Sequence, residues 1–460
     1  MIKIFNHYFH KRTLLRILLD LMLVIATLII AIVRNISDLE SVYLSVLIAS
    51  LLLGFGIFVI NTGLGFYQRT NGRTWLQAAA RGSVSFFLSI PLVYGVFRLS
   101  PVKVENGKDF LLVLMLGIGI MLLNRVYANH GTSLSHMRRR VMIFGAGPRA
   151  KQAGKILLAA DPNVDLVGYY ASPNDVLEEV SAWGVLAPKM TLTDMVRKEK
   201  VDEIVVAVSE RRGGSMPLRE LLDCKLQGVH VIDLSTHFEK TLGQIRLDAV
   251  NAGWLVFSDG FAQGWIRSLV KRVFDIVCAA VLILLTIPVM LVTAVLIRME
   301  SRGPIFYIQE RVGLRGQLFN VIKFRSMRTD AEKDGKPVWA AASDDRTTRV
   351  GRVIRKSRID ELPQLFNVLG GSMSLVGPRP ERPYFVEKLT NEIPYFAVRH
   401  SIKPGLTGWA QVRYRYGASV EDSAEKLQYY LYYVKNHSLL LDLVVIFETV
   451  GVVLMGWGAH

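Results

Sequence analysis

The sequence predicts a membrane protein of mixed α and α/β class: a four-helix transmembrane bundle, a parallel α/β domain, and an α-rich basic domain carrying a re-entrant membrane helix. Three observations predict it. Half of the 460 residues are apolar (51%), and they gather in blocks long enough to face lipid. After the fourth block come a strand, a glycine turn and a helix, and further strand and helix patterns alternate behind them. The last third is dense in glycine, proline and arginine around two adjacent carboxylates, Asp360 and Glu361. A chain of this length has room for two or three domains.

The bundle takes residues 1–130. Its apolar runs are Ile17–Val33, Val42–Ile60, Gly82–Phe97 and Phe110–Asn124. The second is nineteen uncharged residues, close to the about 20 that span the hydrocarbon of a bilayer. Loop charges fit four crossings. Lys3, Lys11, Arg12 and Arg16 precede the first run, and the net-negative set Arg34, Asp38 and Glu40 follows it. Arg69, Arg73 and Arg81 come before the third run, and Arg125 and Arg138–Arg140 follow the fourth. Under the positive-inside rule both ends of the bundle are cytoplasmic. The bland alternative is a soluble domain of four buried helices, where so long an uncharged stretch is uncommon. The first run lacks an A-x-A-like cleavage site and other apolar runs follow it, so it reads as an anchor and not as a cleaved signal.

A formal charge of +16 suits nucleic acid, anionic lipid or phosphorylated substrates. The cations are spread among apolar blocks and form no single basic stripe with interleaved aromatics, which argues against nucleic acid. Two isolated cysteines, Cys224 and Cys278, argue against a disulfide framework or a Cys-rich zinc site. The histidines show no metal-ligand spacing.

Residues 139–248 read as a parallel α/β domain. Val141–Phe144 is a strand, and Gly145, Gly147 and Ala150 then match G-x-G-x-x-A ahead of a helix, the context of a Rossmann-type phosphate turn. Further strands follow at Val164–Tyr170, Glu203–Val208 and Val229–Asp233. At the end of the second strand, where a dinucleotide site needs an acid, "LVGYYAS" offers tyrosines. Two readings stay open: a nucleotide turn, and a Rossmann-like domain whose ligand site is weak or lost.

A linker, 249–269, leads to the last domain, 270–460. Its first segment, Lys271–Met299, is as apolar as a fifth span. Yet it is basic at both ends, with Arg267, Lys271 and Arg272 before it and Arg298 and Arg302 behind, and Pro288 sits near its middle. Proline removes a helix hydrogen bond and forces a kink. Ile276–Ile287 makes about 18 Å of helix, too short to cross alone. A helix–kink–helix over 271–299 that dips into one leaflet and returns fits both features. The last apolar run, Leu439–Met455, carries Asp442 and Glu448. Carboxylates are costly in mid-bilayer, so this run reads as an amphipathic helix at the interface or packed on the domain.

Between these helices the cations cluster. "IKFRSM" holds Lys323 and Arg325, "RVIRKSRIDELPQL" holds Arg355 and Arg358 beside the acid pair, and "SLVGPRPERP" sets Arg379 between two prolines. "KPGLTGW" turns tightly at Pro404–Gly405. An arginine flanked by prolines has little backbone entropy left to lose, so its fork can be aimed at a phosphate. The bland reading is surface cations beside turns, with acids favoured in a first helical turn. Several such clusters around one acid pair point to phosphate chemistry.

The stretch from about Val270 to the C-terminus resembles the bacterial sugar transferase family, the monotopic polyprenyl-phosphate sugar-phosphate transferases. The residues that carry the likeness are "KRVFD", "GPIFYIQERVG", "KFRSM", "DELPQLFNVL", "SLVGPRP" and "KPGLTGWAQV". Four N-terminal spans plus a Rossmann-like domain are similar to the family's large members, which start exopolysaccharide or O-antigen repeat units at the bacterial inner membrane. The resemblance implies that a UDP-sugar gives its sugar-1-phosphate to undecaprenyl phosphate and releases UMP, with the catalytic domain on the cytoplasmic side. It implies Asp360 as nucleophile, forming an aspartyl-phosphosugar intermediate, and Glu361 as the Mg²⁺ holder. It also places Lys323, Arg355 and Arg379 on the family's basic active-site positions, with Arg325 and Arg358 beside them in the same clusters. The neighbouring cations are expected to keep Asp360 ionised. The sequence is compatible with a homodimer, and glucose- or galactose-1-phosphate is only the default cargo. Two departures stand out. The kink of the family's re-entrant helix is usually Ser-Pro and here is Ile287-Pro288. And the family commonly has an acid where this chain has Tyr430.

Two rivals remain. A membrane-anchored nucleotide-sugar dehydratase or epimerase needs Tyr-x-x-x-Lys soon after the glycine turn. That spacing occurs at Tyr384–Lys388, far downstream. A non-catalytic nucleotide-sensing scaffold leaves the acid pair and arginine clusters without a role.

Overall fold

The computed structural model describes residues 2–4, 7–9, 11–35, 43–64, 66, 75–99, 115–120, 122–123, 139–160, 164–171, 185–186, 190–208, 216–250, 252–261, 264–329, 346–414, 417 and 419–454. The chain forms two compact units, one made of residues 1–130 with 259–460, the other of residues 131–258.

The first unit opens with an antiparallel pair, β1 (Ile2–Ile4) and β2 (His7–Phe9), and then three apolar helices: α1 (Lys11–Asn35), α2 (Tyr43–Gly63) and α3 (Trp75–Leu99). Helix α2 packs on both of the others. It is apolar all round: Leu53 and Ile57 are buried, while Leu44, Leu51, Leu52 and Phe55 are exposed. A helix that is apolar outside as well as inside faces something other than water. Most of the fourth expected run, Phe110–Asn124, lies outside the described residues, which are helical at 115–120 and 122–123. Among the described residues, two helices are long and apolar enough to cross a membrane, over Ala79–Val96 and Trp265–Glu300.

The second unit has five parallel strands, β3 (Arg139–Phe144), β4 (Val164–Tyr170), the two-residue β5 (Val185–Leu186), β6 (Glu203–Val206) and β7 (His230–Asp233), in the order β5-β4-β3-β6-β7. Crossovers to either side of the first strand give the doubly wound order. Alternation along β3 explains why both faces are covered. Val141 and Ile143 join Ala150, Ala153 and Leu157 of α4 (Pro148–Ala160) in one core. Met142 and Phe144 join Leu192 and Met195 of α5 (Leu192–Lys198) and Leu221 and Cys224 of α6 (Leu218–Leu226) in the other. A strand buried on both faces reads as a continuous apolar run. Helix α7 (Leu234–Leu242) follows β7, and the expected linker holds a short helix, α8 (Ala252–Phe257), plus the start of the next helix.

That helix, α9 (Trp265–Glu300), is 36 residues, about 54 Å. Its backbone stays helical through Pro288, so the two arms expected on either side of the proline belong to one helical element. Ile283 and Met290, on either side of the proline, stay on one buried stripe with Asp275, Ala279, Thr293 and Ile297, and this packing holds the helical path where the hydrogen bond is lost. The other faces are apolar and open; Leu284 and Leu285 are 71% and 70% exposed. Strands β8 (Phe306–Val312) and β9 (Leu318–Phe324) form a hairpin. Helices α10 (Arg349–Lys356) and α11 (Gln364–Gly370), strand β10 (Ser374–Val376) and helix α12 (Pro383–Glu392) follow. Then come β11 (Gly405–Thr407), parallel to β10, and helices α13 (Trp409–Arg413), α14 (Val420–Asn436) and α15 (Leu439–Leu454).

Helix α9 is fastened to this domain at both ends. Near its start the Arg272 guanidinium donates to the Val368 and Leu369 carbonyls, each at 2.6 Å, and closes the C-terminus of α11. Lys271 pairs with Asp442 at 2.8 Å, and Asp275 accepts from the Leu375 N–H. At its far end the Glu300 carboxylate accepts from the Arg349 and Val350 N–H groups and so occupies the N-terminus of α10. The acids of the last apolar run are buried and paired: Asp442 with Lys271, and Glu448 with Arg413 at 2.6 Å. Helix α15 therefore packs on the domain, and its Phe447 also meets Phe55 and Phe58 of α2 edge-on, ring centres 6.1 and 5.9 Å apart.

Candidate active site

The acid pair sits at a break between two helices. Helix α10 ends at Lys356, Arg358 takes a left-handed backbone (φ 60°), and Ile359–Glu361 forms a single 3₁₀ turn before α11. A non-glycine residue in that region costs roughly 1–2 kcal/mol, a strain that clusters at functional sites. The sequence suggested an α-helical start; the 3₁₀ turn separates adjacent side chains by about 120°. Asp360 and Glu361 are both 9% exposed.

Cations converge on Glu361. Arg379 Nη2 lies 2.8 Å and Lys323 Nζ 3.5 Å from Oε1, and Arg358 Nη1 lies 3.6 Å from Oε2. Among the described residues no ion pair reaches Asp360. The two carboxyls accordingly part. Burial alone raises Glu361, but Arg379, Lys323 and Arg358 outweigh it and hold the group well below the usual carboxylate range. Burial, and then the Glu361 charge, push Asp360 up to about 6 against the pull of the same cations. The cations favour ionised Asp360, as expected, but burial and the Glu361 charge outweigh them. Burial lowers Lys323, and Glu361 offsets part of that loss.

Neighbouring elements aim these groups. Lys323 rides on β9, opposite Tyr307 of β8. Asn367 of α11 ties that strand to the acid pair's helix: its Oδ1 accepts from the Ile322 N–H at 3.0 Å and its Nδ2 donates to the Asn320 carbonyl at 2.7 Å. Arg379 leaves the end of β10, where Gly377 and Gly405 cross. A Cβ on Gly405 would lie 2.0 Å from the Gly377 nitrogen, so the approach of "VGPRP" to "KPGLTG" requires glycine there.

Two expected phosphate binders lie elsewhere. Arg325 donates to the Ser301 and Arg302 carbonyls at 2.9 and 3.0 Å and is buried against the end of α9. Its guanidinium serves the helix terminus, a correction of its sequence assignment. Arg355 lies in the last turn of α10, and no ion pair links it to either acid among the described residues. Two arginines that the sequence analysis passed over, Arg311 and Arg399, donate to the Pro380 and Arg379 carbonyls. Their signal lay inside the motif blocks, in "QERVG" and just ahead of "KPGLTG". Tyr430 is buried, with the Arg399 guanidinium 4.4 Å from its ring centre.

Residues 266–456 match the family described as bacterial sugar transferase. A UDP-glucose:undecaprenyl-phosphate glucose-1-phosphate transferase of Caulobacter vibrioides is 44% identical over 183 residues, covering 39% of this chain and 68% of that one. The chain belongs to the bacterial sugar transferase family. A UDP-N-acetylgalactosamine-undecaprenyl-phosphate N-acetylgalactosaminephosphotransferase of Aeromonas hydrophila is 43% identical over 242 residues, 53% of this chain and 56% of the relative. A UDP-glucose:undecaprenyl-phosphate glucose-1-phosphate transferase of Escherichia coli is 28% identical over 435 residues, 91% of this chain and 90% of the relative. Against the Aeromonas protein the chain spans little more than half of the relative's length. The family match covers the acid pair, the three cations on Glu361 and the whole of α9 beyond Trp265. It does not extend to the glycine turn.

At that turn Gly145 has φ +119° and donates its N–H to the Tyr170 carbonyl at 2.8 Å. Tyr170 stacks on Phe144, ring centres 5.9 Å apart, and its hydroxyl donates to the Met190 carbonyl. Tyr169 lies over Gly154, where a Cβ would meet its hydroxyl at 1.9 Å. The tyrosines at the strand end are thus engaged in packing the second unit. Gly147 and Ala150 are buried beside them, at the start of α4. Tyr384 and Lys388 lie on α12 of the first unit, Tyr384 exposed and Lys388 paired with Glu392, whereas the Gly145–Gly147 turn belongs to the second unit.

Proposed function

We propose that this protein transfers a sugar-1-phosphate from a UDP-sugar to undecaprenyl phosphate, releases UMP, and starts a lipid-linked polysaccharide repeat unit. The observation that carries it is the split of two adjacent carboxylates: Glu361 clamped by three cations, and Asp360 pushed up to a pKa of about 6 with no ion pair among the described residues. An oxygen nucleophile that is basic yet still ionised at neutral pH suits attack on phosphorus. The Asp360 carboxylate forms a bond to the β-phosphorus, and the bridging phosphoanhydride bond breaks, its electrons leaving with UMP. A phosphate oxygen of undecaprenyl phosphate then attacks the same phosphorus and expels the Asp360 carboxylate. Two steps let one site serve a soluble and a lipid substrate in turn. Arg379, Lys323 and Arg358 neutralise the diphosphate as its charge shifts.

The donor set fits Mg²⁺. The site offers carboxylate oxygens, and among the described residues no cluster of three or more acidic, His or Cys ligands forms a cage. Mg²⁺ is commonly held by one or two carboxylates together with substrate phosphates and water. Glu361 would hold it, and when bound it supplies charge neutralisation on the phosphates.

The fastening of α9 at both ends supports a helix that enters and leaves one face of the membrane, since one domain cannot hold Lys271 and Glu300 from opposite sides of a bilayer. The basic flanks support a cytoplasmic face of a bacterial inner membrane. The relatives' names differ in their sugar, N-acetylgalactosamine in one and glucose in others. The test is a panel of UDP-sugars offered to the detergent-purified protein with Mg²⁺ and undecaprenyl phosphate, with Asp360→Asn alongside. UMP release with one sugar, abolished in the variant, is the expected result. Release of UDP would overturn the reading, because the sugar would then move without its phosphate.

A further inference from the structure

Arg379 is the cation nearest Glu361, and its backbone is held at every carbonyl around it. The Pro378 carbonyl accepts from the Gly405 N–H at 2.9 Å, the Pro380 carbonyl from Arg311 Nη1 at 3.1 Å, and the Glu381 carbonyl from the Val312 N–H at 2.9 Å. The Arg379 carbonyl itself accepts from Arg399 Nη2. Pro378 and Pro380 already fix two φ angles. What remains free is the peptide plane that follows Arg379, and the Arg399 guanidinium sets it.

Arg399 is an unusual residue to find there. It is 4% exposed, it forms no ion pair among the described residues, and its Nε has no hydrogen-bond partner. A buried charge needs a counterweight. Here two aromatic faces supply it, the Tyr430 ring at 4.4 Å and the Phe396 ring at 4.9 Å from the guanidinium carbon. Attraction of a cation to a ring face grows when both are desolvated. Tyr430 also faces the Arg379 backbone, so one tyrosine borders the loop and holds the arginine that grips it.

We propose that Arg399, held on the Tyr430 and Phe396 rings, is a positioning residue that fixes the Pro378–Arg379–Pro380 backbone and thereby aims the Arg379 guanidinium at the substrate diphosphate. Tyr430, where the resemblance implies an acid, is on this reading the aromatic base of the clamp. The proposal rests on the transferase reading only for its activity readout.

The test compares Tyr430→Phe, which keeps the ring face, with Tyr430→Leu, which keeps apolar bulk without it, and with Arg399→Lys, which keeps a cation but not the fork. Three quantities are measured on the full chain in detergent: kcat and KM for the UDP-sugar, thermal unfolding, and amide exchange at Gly405 and Val312, whose N–H groups donate to the Pro378 and Glu381 carbonyls. Displacing a substrate-holding group by about 1 Å can cost on the order of 100-fold. Tyr430→Leu and Arg399→Lys are therefore expected to lower kcat/KM by about 10- to 100-fold, mostly in kcat. Exchange at the Gly405 and Val312 amides should rise in both, and Tyr430→Phe should recover most of the activity. Equal effects of Phe and Leu at position 430 would overturn the proposal. So would unchanged activity and exchange in Tyr430→Leu. Exchange needs no turnover: a wild type that releases no UMP yet shows faster Gly405 and Val312 exchange in Tyr430→Leu would sink the transferase reading and leave the clamp standing.

Discussion

Asp360 and Glu361 are neighbours in sequence and equals in exposure, yet they are opposites electrostatically, and replacing each by its amide separates them. Asp360 has a raised pKa in the folded protein, so its contribution to stability is present below its ordinary 3.8 and is lost as pH rises through about 6. At pH 8 the wild type carries that loss and Asp360→Asn does not. The variant should unfold at a higher temperature while releasing no UMP; the stabilisation is at most about 3 kcal/mol. Glu361 has a depressed pKa, so its contribution is present above the ordinary carboxylate range and is lost only as pH falls through the depressed value. Glu361→Gln leaves Arg379, Lys323 and Arg358 facing one another and should lower stability at pH 8 by about 3 kcal/mol or more. Thermal unfolding of both variants checks the signs; a shift in the same direction would mean that the cations are shared between the acids. In the wild type, kcat/KM should fall about tenfold per pH unit below about 6 as Asp360 takes up a proton.

At the scale of elements, a buried network joins α9 to β10, α14 and α15. Lys271 pairs with Asp442 at 2.8 Å and reaches Asp275 at 3.4 Å. Asp275 accepts from Leu375, and the Tyr433 hydroxyl contacts Asp442 Oδ1 and the Val376 carbonyl. Val376 lies three residues before Arg379, so α9 and the loop that carries Arg379 share one set of contacts. Lys271→Met strands a fully buried carboxylate and should cost about 3–5 kcal/mol; adding Asp442→Leu should recover much of that, and a double-mutant cycle on thermal unfolding measures the coupling. None of this could be read from spacing. Four strands of the second unit were legible, because apolar runs and a glycine turn write them locally, whereas the two-residue β5 is too short to carry a pattern. The acid pair and Arg379 were legible too, from motif blocks that hold proline, charge and glycine together. Arg325 and Arg399 were not, since which carbonyl an arginine caps depends on elements 20 or more residues away in the chain. That α9 stays helical on both sides of Pro288 was hidden for the same reason: the proline is a local signal, and the buried stripe is tertiary.

At the scale of the whole molecule, the question is on which side of the bilayer the ends of α9 emerge. The helix is long and apolar enough to cross, and composition alone favours crossing. Its anchors argue the other way. Lys271 and Arg272 are fixed to α15 and α11, while Glu300 and the Ser301 and Arg302 carbonyls are fixed to α10 and Arg325, all within one compact unit. Exposed leucines along the remaining faces supply the apolar surface that a lipid leaflet covers. Single cysteines test this directly. In a chain carrying Cys224→Ala and Cys278→Ala, Ser268→Cys and Arg302→Cys place one thiol just inside the start of α9 and one just beyond its end; both positions are exposed. A membrane-impermeant maleimide should label neither in right-side-out vesicles and both in inverted ones. Labelling of one site from each side would establish a span. It would also require the domain to release one of its two grips on the helix, which the ion pair at Lys271 and the carboxylate cap at Glu300 oppose together.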